Sequence, residues 1–465
     1  MVKNMMALLR LKSAGMLDRT LSGNTFDYKQ IIAIILPVLA DQAFLIVMSL
    51  LNTAMISSSG VAAVSAVSIV DALNIFIINV FIAVATGGTV IVAQYKGSGQ
   101  DTMVSRAASQ AISVVMIVSV SISVLVIAFR DPTLNLLFGQ AERDVLENAR
   151  IFLIGSCLSY PFLAMYSAIT GVLRGIADTR ICLILSIIMN LANFILNAIF
   201  ILWMNMGIIG MVLAQLLARL LGMVTSLVYI LKYCHKIQFR MTDVFRPDAS
   251  IIKKIMFIGL PFAAEQMFFN GGKLLTQTYI VQFGTLAITA NAIGNALAGL
   301  SQIGASALGT AIVTVVGQCI GRGDIVDARR YIRSFHLLSF ISFLLAIVII
   351  IPLYHPLVGL FSPPDEIVPE IFRLMLLVLF TQPFLWAVSF IMPSALRAAG
   401  DSRFTSVTSM LTMWLLRVIL GYVLGVTLGF GLMGVWMAMV IEWGVRGSIF
   451  VWRFRGDRWY RHKLI

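Results

Sequence analysis

The chain has 465 residues, 59% of them hydrophobic and only 12% charged, with a mean hydropathy of +0.95, which leaves too little polar surface to cover a water-soluble core. The net charge of +13 comes from 34 Lys and Arg against 21 Asp and Glu. These cations fall in loops that alternate along the chain, so the excess reads as a membrane topology signal and argues against a nucleic-acid partner.

A hydrocarbon layer about 30 Å thick requires roughly 20 apolar residues per helix, and twelve stretches of that length are expected. Residues 1–30 form a charged cytoplasmic leader with no signal-peptide pattern. The first span runs over about 31–56 and turns at Ser57-Ser58-Ser59-Gly60; the second, over 61–93, ends at Gln94-Tyr95-Lys96-Gly97-Ser98-Gly99. A third span, 104–129, meets an external loop over 130–150 whose composition suits a short surface helix. The fourth, with Pro161 inside it, leads to Leu173-Arg174-Gly175; the fifth covers 181–204 and the sixth ends near 231. The polar stretch 232–254 is the expected cytoplasmic linker. Six further spans begin near Ile255, Ala287, Tyr331, Glu370, Phe404 and Gly431. The expected organisation is an all-α integral membrane protein with twelve transmembrane helices in two pseudo-symmetric six-helix lobes, 31–231 and 255–452. A basic cytoplasmic tail, 453–465, closes the chain, and its Trp459 and Tyr460 suit anionic headgroups.

The two lobes are expected because the chain repeats itself. Pro37-Val-Leu-Ala-Asp41-Gln42-Ala-Phe44 recurs 224 residues later as Pro261-Phe-Ala-Ala-Glu265-Gln266-Met-Phe268, and the same shift carries Asp71 to Asn295, Gln94 to Gln318 and Gly99 to Gly323. Six spans per copy is an even number, so both copies enter the membrane the same way up. Basic residues such as Lys232, Lys236, Lys253, Lys254, Arg329 and Arg330 then collect on the side of the termini, which places both termini in the cytoplasm.

Asp41, Asp71 and Glu265 each fall roughly 15 Å into a span, near the midplane. A charge there costs at least about 2.5 kcal/mol, so each acid lines a wet cavity, finds a partner or stays protonated. Such groups exchange protons, or swap a proton for sodium or a cationic solute; the plainer reading is a polar clamp between helices. Asn190, Asn193 and Asn197 share one face of the fifth span and either coordinate an ion or join helices. Lys273 projects two turns beyond Glu265, and with Arg417 it can tune the cavity field, accept anions or pair with a neighbouring acid. Gln42, Asn52, Gln266 and Asn295 complete the candidate cavity set. Cys157, Cys182, Cys234 and Cys319 lack metal or disulfide spacing and are expected to be free thiols. With no HExxH and no GxxxxGK[ST], no enzyme and no cofactor is expected. A different class of reading would be an intramembrane enzyme with Asp41 and Asp71 as its dyad, which needs the two acids within about 5 Å.

The duplicated six-helix halves, the Gln94-Tyr-Lys-Gly and Gln318-Cys-Ile-Gly turns, and the Leu173-Arg174-Gly and Leu396-Arg397-Ala-Ala-Gly-Asp401 links resemble the multidrug and toxic compound extrusion (MATE) family over about residues 30–452. The resemblance implies export of organic cations or amphipathic xenobiotics against H+ or Na+ by alternating access, from a bacterial-type inner membrane. Members commonly carry an aspartate followed by threonine late in the first span, where this chain has Asn52-Thr53. Asp41, almost three turns earlier on nearly the same face, would take that role, with Glu265 as its counterpart and Asp71 in support. The expected protein is a monomer in the plasma membrane with small cationic substrates. The alternative is a flippase for lipid-linked oligosaccharide or peptidoglycan precursors, for which Lys273 and Arg417 would meet the diphosphate.

Overall fold

The computed structural model describes residues 18, 21–57, 61–138, 143–462 and 464–465; most of the leader and the Ser58–Gly60 turn lie outside them. The described residues are helical nearly throughout and contain no strand. In chain order the α-helices are α1 Tyr28–Ser57, α2 Val61–Gly97, α3 Asp101–Ala128, α4 Arg130–Phe138, α5 Arg143–Gly175, α6 Thr179–Asn197, α7 Gly207–Val228, α8 Met241–Val244 and α9 Ala249–Ile280. There follow α10 Thr285–Ser301, α11 Ile303–Arg322, α12 Ile325–Ile350, α13 Tyr354–Gly359, α14 Val368–Trp386, α15 Met392–Ala398, α16 Ser402–Thr412, α17 Leu420–Tyr422 and α18 Gly431–Arg455.

Eleven helical stretches among the described residues are long and apolar enough to cross a membrane. The 32-residue α9 is not one of them, because Lys253, Lys254, Glu265, Gln266, Asn270 and Lys273 dilute it. It stands where the seventh span was expected and completes the set of twelve. The eighth expected span is interrupted: α10 and α11 meet at Gln302, whereas its counterpart α2 runs unbroken for 37 residues. The expected surface helix after the third span is α4. The fourth span starts at Arg143, inside the stretch read as loop, and the 232–254 interval holds α8 and the first residues of α9.

The repeat is visible in the backbone. Gly99 ends the turn after α2 at φ 75° and Gly323 caps α11 at φ 80°, the left-handed region where only glycine is comfortable. Asp324 then opens α12 by accepting from the Asp327 amide at 2.9 Å. Asp178 and Asp401, 223 apart, play one part in each half. Asp178 accepts from Tyr229 at 3.3 Å and meets Lys236 at 3.6 Å; Asp401 takes two bonds from Arg453 at 2.7 and 3.1 Å. Between these acids and the Gly207/Gly431 pair the offset grows to 224; in this interval the first half has one π-helical segment, Ala198–Trp203, and the second has two, Met413–Ile419 and Val423–Thr427.

Contacts divide the chain into two units, Ala40–Met267 on one side and Met1–Leu39 with Phe268–Ile465 on the other, so both boundaries fall inside helices, α1 and α9. Within Ala40–Met267, α5 packs against α2, α3 and α7, and α6 lies on α7. Within the second unit α11 packs on α12 and α15, α10 on α14, and α18 on α14 and the π-helical segments around α17. The tail folds back onto α18: Trp459 is fully buried beside Phe454 at a ring separation of 5.6 Å, and Arg329 binds Asp457 at 2.7 Å. The tail's aromatic is therefore packed inside the fold, whereas the sequence suited it to headgroups.

Candidate functional site

Within Ala40–Met267, helices α1, α2, α5, α6 and α7 enclose a cavity of about 320 Å³ whose polar lining includes Asn52, Asp71, Asn190, Asn193, Asn197 and Arg219. The spacing of three and four residues on α6 turns its three amides to this one space. Asp71 enters from α2. Asn74, one turn further along, donates to Asp71 Oδ1 at 3.0 Å and to Ser156 Oγ at 3.3 Å, and accepts a hydrogen bond from the Tyr160 hydroxyl. Across the cavity, Arg219 donates to Ser159 Oγ at 2.6 Å, and Ser159 donates to the Ser156 carbonyl at 2.7 Å. A continuous polar chain thus ties the acid on α2, through α5, to the cation on α7. Two lining oxygens, Asn52 Oδ1 and Asn193 Oδ1, are buried with no hydrogen-bond donor among the described residues.

Asp41 lies behind this cavity and is not part of its wall. It is 5% exposed; its Oδ2 is 3.9 Å from Arg174 Nη2, and its Oδ1 accepts no hydrogen bond. Ser186 faces the same carboxyl, and Asn190 Nδ2 reaches Ser186 Oγ at 3.3 Å, so a short polar path leads from Asp41 to the cavity wall. Glu265 is buried at 7% exposure in α9 and grouped with Ala40–Met267; it, Gln42 and Gln266 line neither this cavity nor the one below.

The second unit has its own cavity, two adjoining chambers of about 330 and 310 Å³ that share Lys273, Asn295, Arg417 and Met439. The 224-residue shift carries part of the first lining onto the second: Asn52 to Thr276, Asp71 to Asn295, and Asn193 to Arg417. The character of the site changes with it. The first cavity has an acid where the second has an amide, and an amide where the second has a guanidinium. Aromatic rings from Phe269, Trp386, Phe390, Trp436 and Trp443 wall the second cavity. Behind it, Glu442 is fully buried and paired with Arg446 at 2.8 Å, and Arg417 stands 4.0 Å from the same carboxylate.

Reading the sequence missed Asn74, Tyr160, Arg174 as the neighbour of Asp41, and the tryptophan wall. The 224-residue shift itself could have flagged Thr276 as the counterpart of Asn52. The four cysteines are buried free thiols, and no group of three metal-binding side chains occurs among the described residues.

The sequence model of the MatE family matches residues 37–199 and again 261–423, two copies displaced by the same 224 residues. The chain is 26% identical over 432 residues to the uncharacterized transporter YisQ of Bacillus subtilis, covering 91% of this chain and 93% of that one. To the probable multidrug resistance protein NorM of Thermotoga maritima it is 26% identical over 444 residues, 94% of each chain. Its fold matches a solved outward-facing multidrug resistance MATE family transporter with a TM-score of 0.84 at 17% identity, over 92% of this chain and 95% of the other.

Proposed function

The chain belongs to the MATE family of membrane transporters, and from that premise we propose that it is a secondary active exporter of organic cations and other amphipathic xenobiotics, driven by entry of H+ or Na+. The observation that carries this reading is the acceptor-rich cavity around Asp71. A carboxylate and two undonated amide oxygens inside a membrane-spanning helix bundle suit a proton, a sodium ion or an organic ammonium, and the one guanidinium on the wall, Arg219, is drawn aside by its bond to Ser159. Asp41 provides a second carboxylate behind the wall, reached through Ser186 and Asn190, and Arg174 beside it gives the ionised form a partner. Together they can pass a cation inward as the substrate leaves. Glu265 stands where the repeat puts the counterpart of Asp41 and acts as the second coupling acid.

In this reading the halves 31–231 and 255–452 alternate access to the two faces of the plasma membrane, both termini are cytoplasmic, and the monomer is the working unit. It needs no cofactor and catalyses no covalent step.

Ethidium efflux tests the proposal in vesicles with an imposed proton or sodium gradient, comparing the wild type with Asp41→Asn, Asp71→Asn and Glu265→Gln. Efflux should follow one of the gradients and fall at least about tenfold in Asp71→Asn at equal protein level. If the wild type moves no cationic dye under either gradient, the exporter reading fails. A green fluorescent protein fused after Ile465 should fluoresce, as it does when left in the cytoplasm; a dark, full-length fusion would reverse the topology.

A further inference from the structure

We propose that the cavity around Lys273 and Arg417 is a binding site for an organic anion, an aromatic body carrying a carboxylate, so that the protein handles zwitterionic or acidic amphiphiles as well as cations. The inference rests on the transporter reading for what becomes of the bound molecule, and on the cavity alone for its chemistry.

Two cations face this space with less than their chemistry calls for. The Lys273 ammonium has no acid within 4.0 Å among the described residues; its one contact is the face of Phe269, with the ring centroid 5.0 Å away. An ammonium offers three donors and no acceptor, and here none of them is used. Arg417 has five donors, yet its guanidinium makes one hydrogen bond among the described residues, to the Met439 sulfur at 2.9 Å. A thioether is a weak acceptor. The nearest carboxylate, Glu442, is already held by Arg446 at 2.8 Å and stays 4.0 Å from Arg417. Three cations therefore share one acid, and no acid lines either chamber. Unpaired charge inside a membrane protein is costly and marks a ligand path; a carboxylate between Lys273 and Arg417 would supply the missing acceptors through charge-assisted hydrogen bonds.

The walls argue for the rest of the ligand. Trp386, Phe390 and Trp443 line the chamber on one side of Arg417 and Trp436 the other, and four amides, Gln277, Asn291, Asn295 and Gln302, supply the polar part of the walls. Chambers of about 310 and 330 Å³ lie within the size range of small-molecule sites. Rings of this kind would also suit an organic cation, but the two cations on the wall, Lys273 and Arg417, repel one. The halves of the repeat have thus diverged in sign at matched places: Asp71 became Asn295, and Asn193 became Arg417.

The test is equilibrium binding of radiolabelled naphthoate to the purified full-length chain in lipid nanodiscs, with no ion gradient. Naphthoate should bind saturably. Lys273→Gln and Arg417→Gln should each weaken it by roughly tenfold or more, while Lys273→Arg stays within about threefold. Naphthylmethylammonium and inorganic pyrophosphate should fail to displace it. The proposal is overturned by any of four results: no saturable binding, affinity unchanged in both glutamine variants, displacement by the ammonium at equal concentration, or stronger binding of pyrophosphate, which would assign the site to phosphate headgroups. Since no transport is measured, a protein that fails to export ethidium but binds naphthoate through Lys273 refutes the cation exporter and leaves this site standing.

Discussion

Asn74 donates to Asp71 across one turn of α2, Nδ2 to Oδ1 at 3.0 Å, and it is the only hydrogen bond that the Asp71 carboxylate accepts from a side chain among the described residues. The same amide is held from the other side by Ser156 and Tyr160 on α5. The acid's position is thus fixed by a residue that does not itself line the cavity.

Removing the Tyr160 hydroxyl leaves Asn74 Oδ1 buried without its donor, which costs about 1–3 kcal/mol. Thermal unfolding of purified Tyr160→Phe should fall accordingly. Asp71→Asn, which keeps the shape and faces the cavity, should unfold within about 0.5 kcal/mol of the wild type while losing transport. Equal melting of wild type and Tyr160→Phe would show that the amide is held some other way.

The buried pair of Glu442 and Arg446 lies at 0% and 2% side-chain exposure. Breaking it from one side strands a charge, so Glu442→Leu or Arg446→Met should each cost about 3–5 kcal/mol, and combining the same two replacements should recover part of that loss, Arg417 still losing its nearest carboxylate. A double-mutant cycle on melting in detergent reads the coupling directly; strict additivity would argue that the pair contributes little.

Helices α2 and α9 touch through glycines. A Cβ on Gly87 would lie 2.5 Å from the Ile255 carbonyl oxygen, and one on Gly259 would lie 3.0 Å from Val84 Cα. Both neighbours are backbone and cannot rotate away. Gly87→Val should therefore cost about 1–3 kcal/mol or more through overpacking, whereas Gly271→Ala, with nothing within 4 Å, should be neutral or stabilising. Size-exclusion profiles after a heating series separate the two; a Gly87→Val protein as stable as wild type would mean the helices part readily.

Asp401 gathers the tail through Arg453 at 2.7 Å and His462 at 3.2 Å, with Trp459 fully buried alongside. Trp459→Ala should remove about 3–5 kcal/mol of local packing and expose the segment after Arg455 to trypsin. Cleavage there at the wild-type rate would contradict the packed tail.

Several of these groups were legible in the sequence. The Asn190, Asn193 and Asn197 stripe was visible because helical spacing alone fixes which residues share a face, and those three do meet one cavity together with Asn52 and Asp71. Lys273, Asn295 and Arg417 were read as members of one candidate cavity set with Asn52 and the α6 amides; the structure gives them a cavity of their own. Asp41 and Glu265 were read as cavity acids from their depth; the structure buries both and places neither among the residues lining the two cavities described above, because depth along a helix does not say which way a side chain faces. The break at Gln302 left no signal, since the repeat predicts the unbroken form seen in α2.

By itself the sequence determined the membrane class, the succession of long helices, the duplication by 224 residues and the family that the duplication announces. These follow from local quantities: hydropathy over a span, glycine at positive φ, and like residues at a fixed shift. The tertiary structure decided which helix faces meet, and so the partners of Asp71, Asp41 and Arg417, the aromatic wall behind Lys273, and the fact that one half's cavity sets an acid against a cation while the other's has cations and no acid on its wall. Helical periodicity assigns a residue to a face, but the neighbour across that face lies tens to hundreds of residues away, and only the packed chain brings the two together.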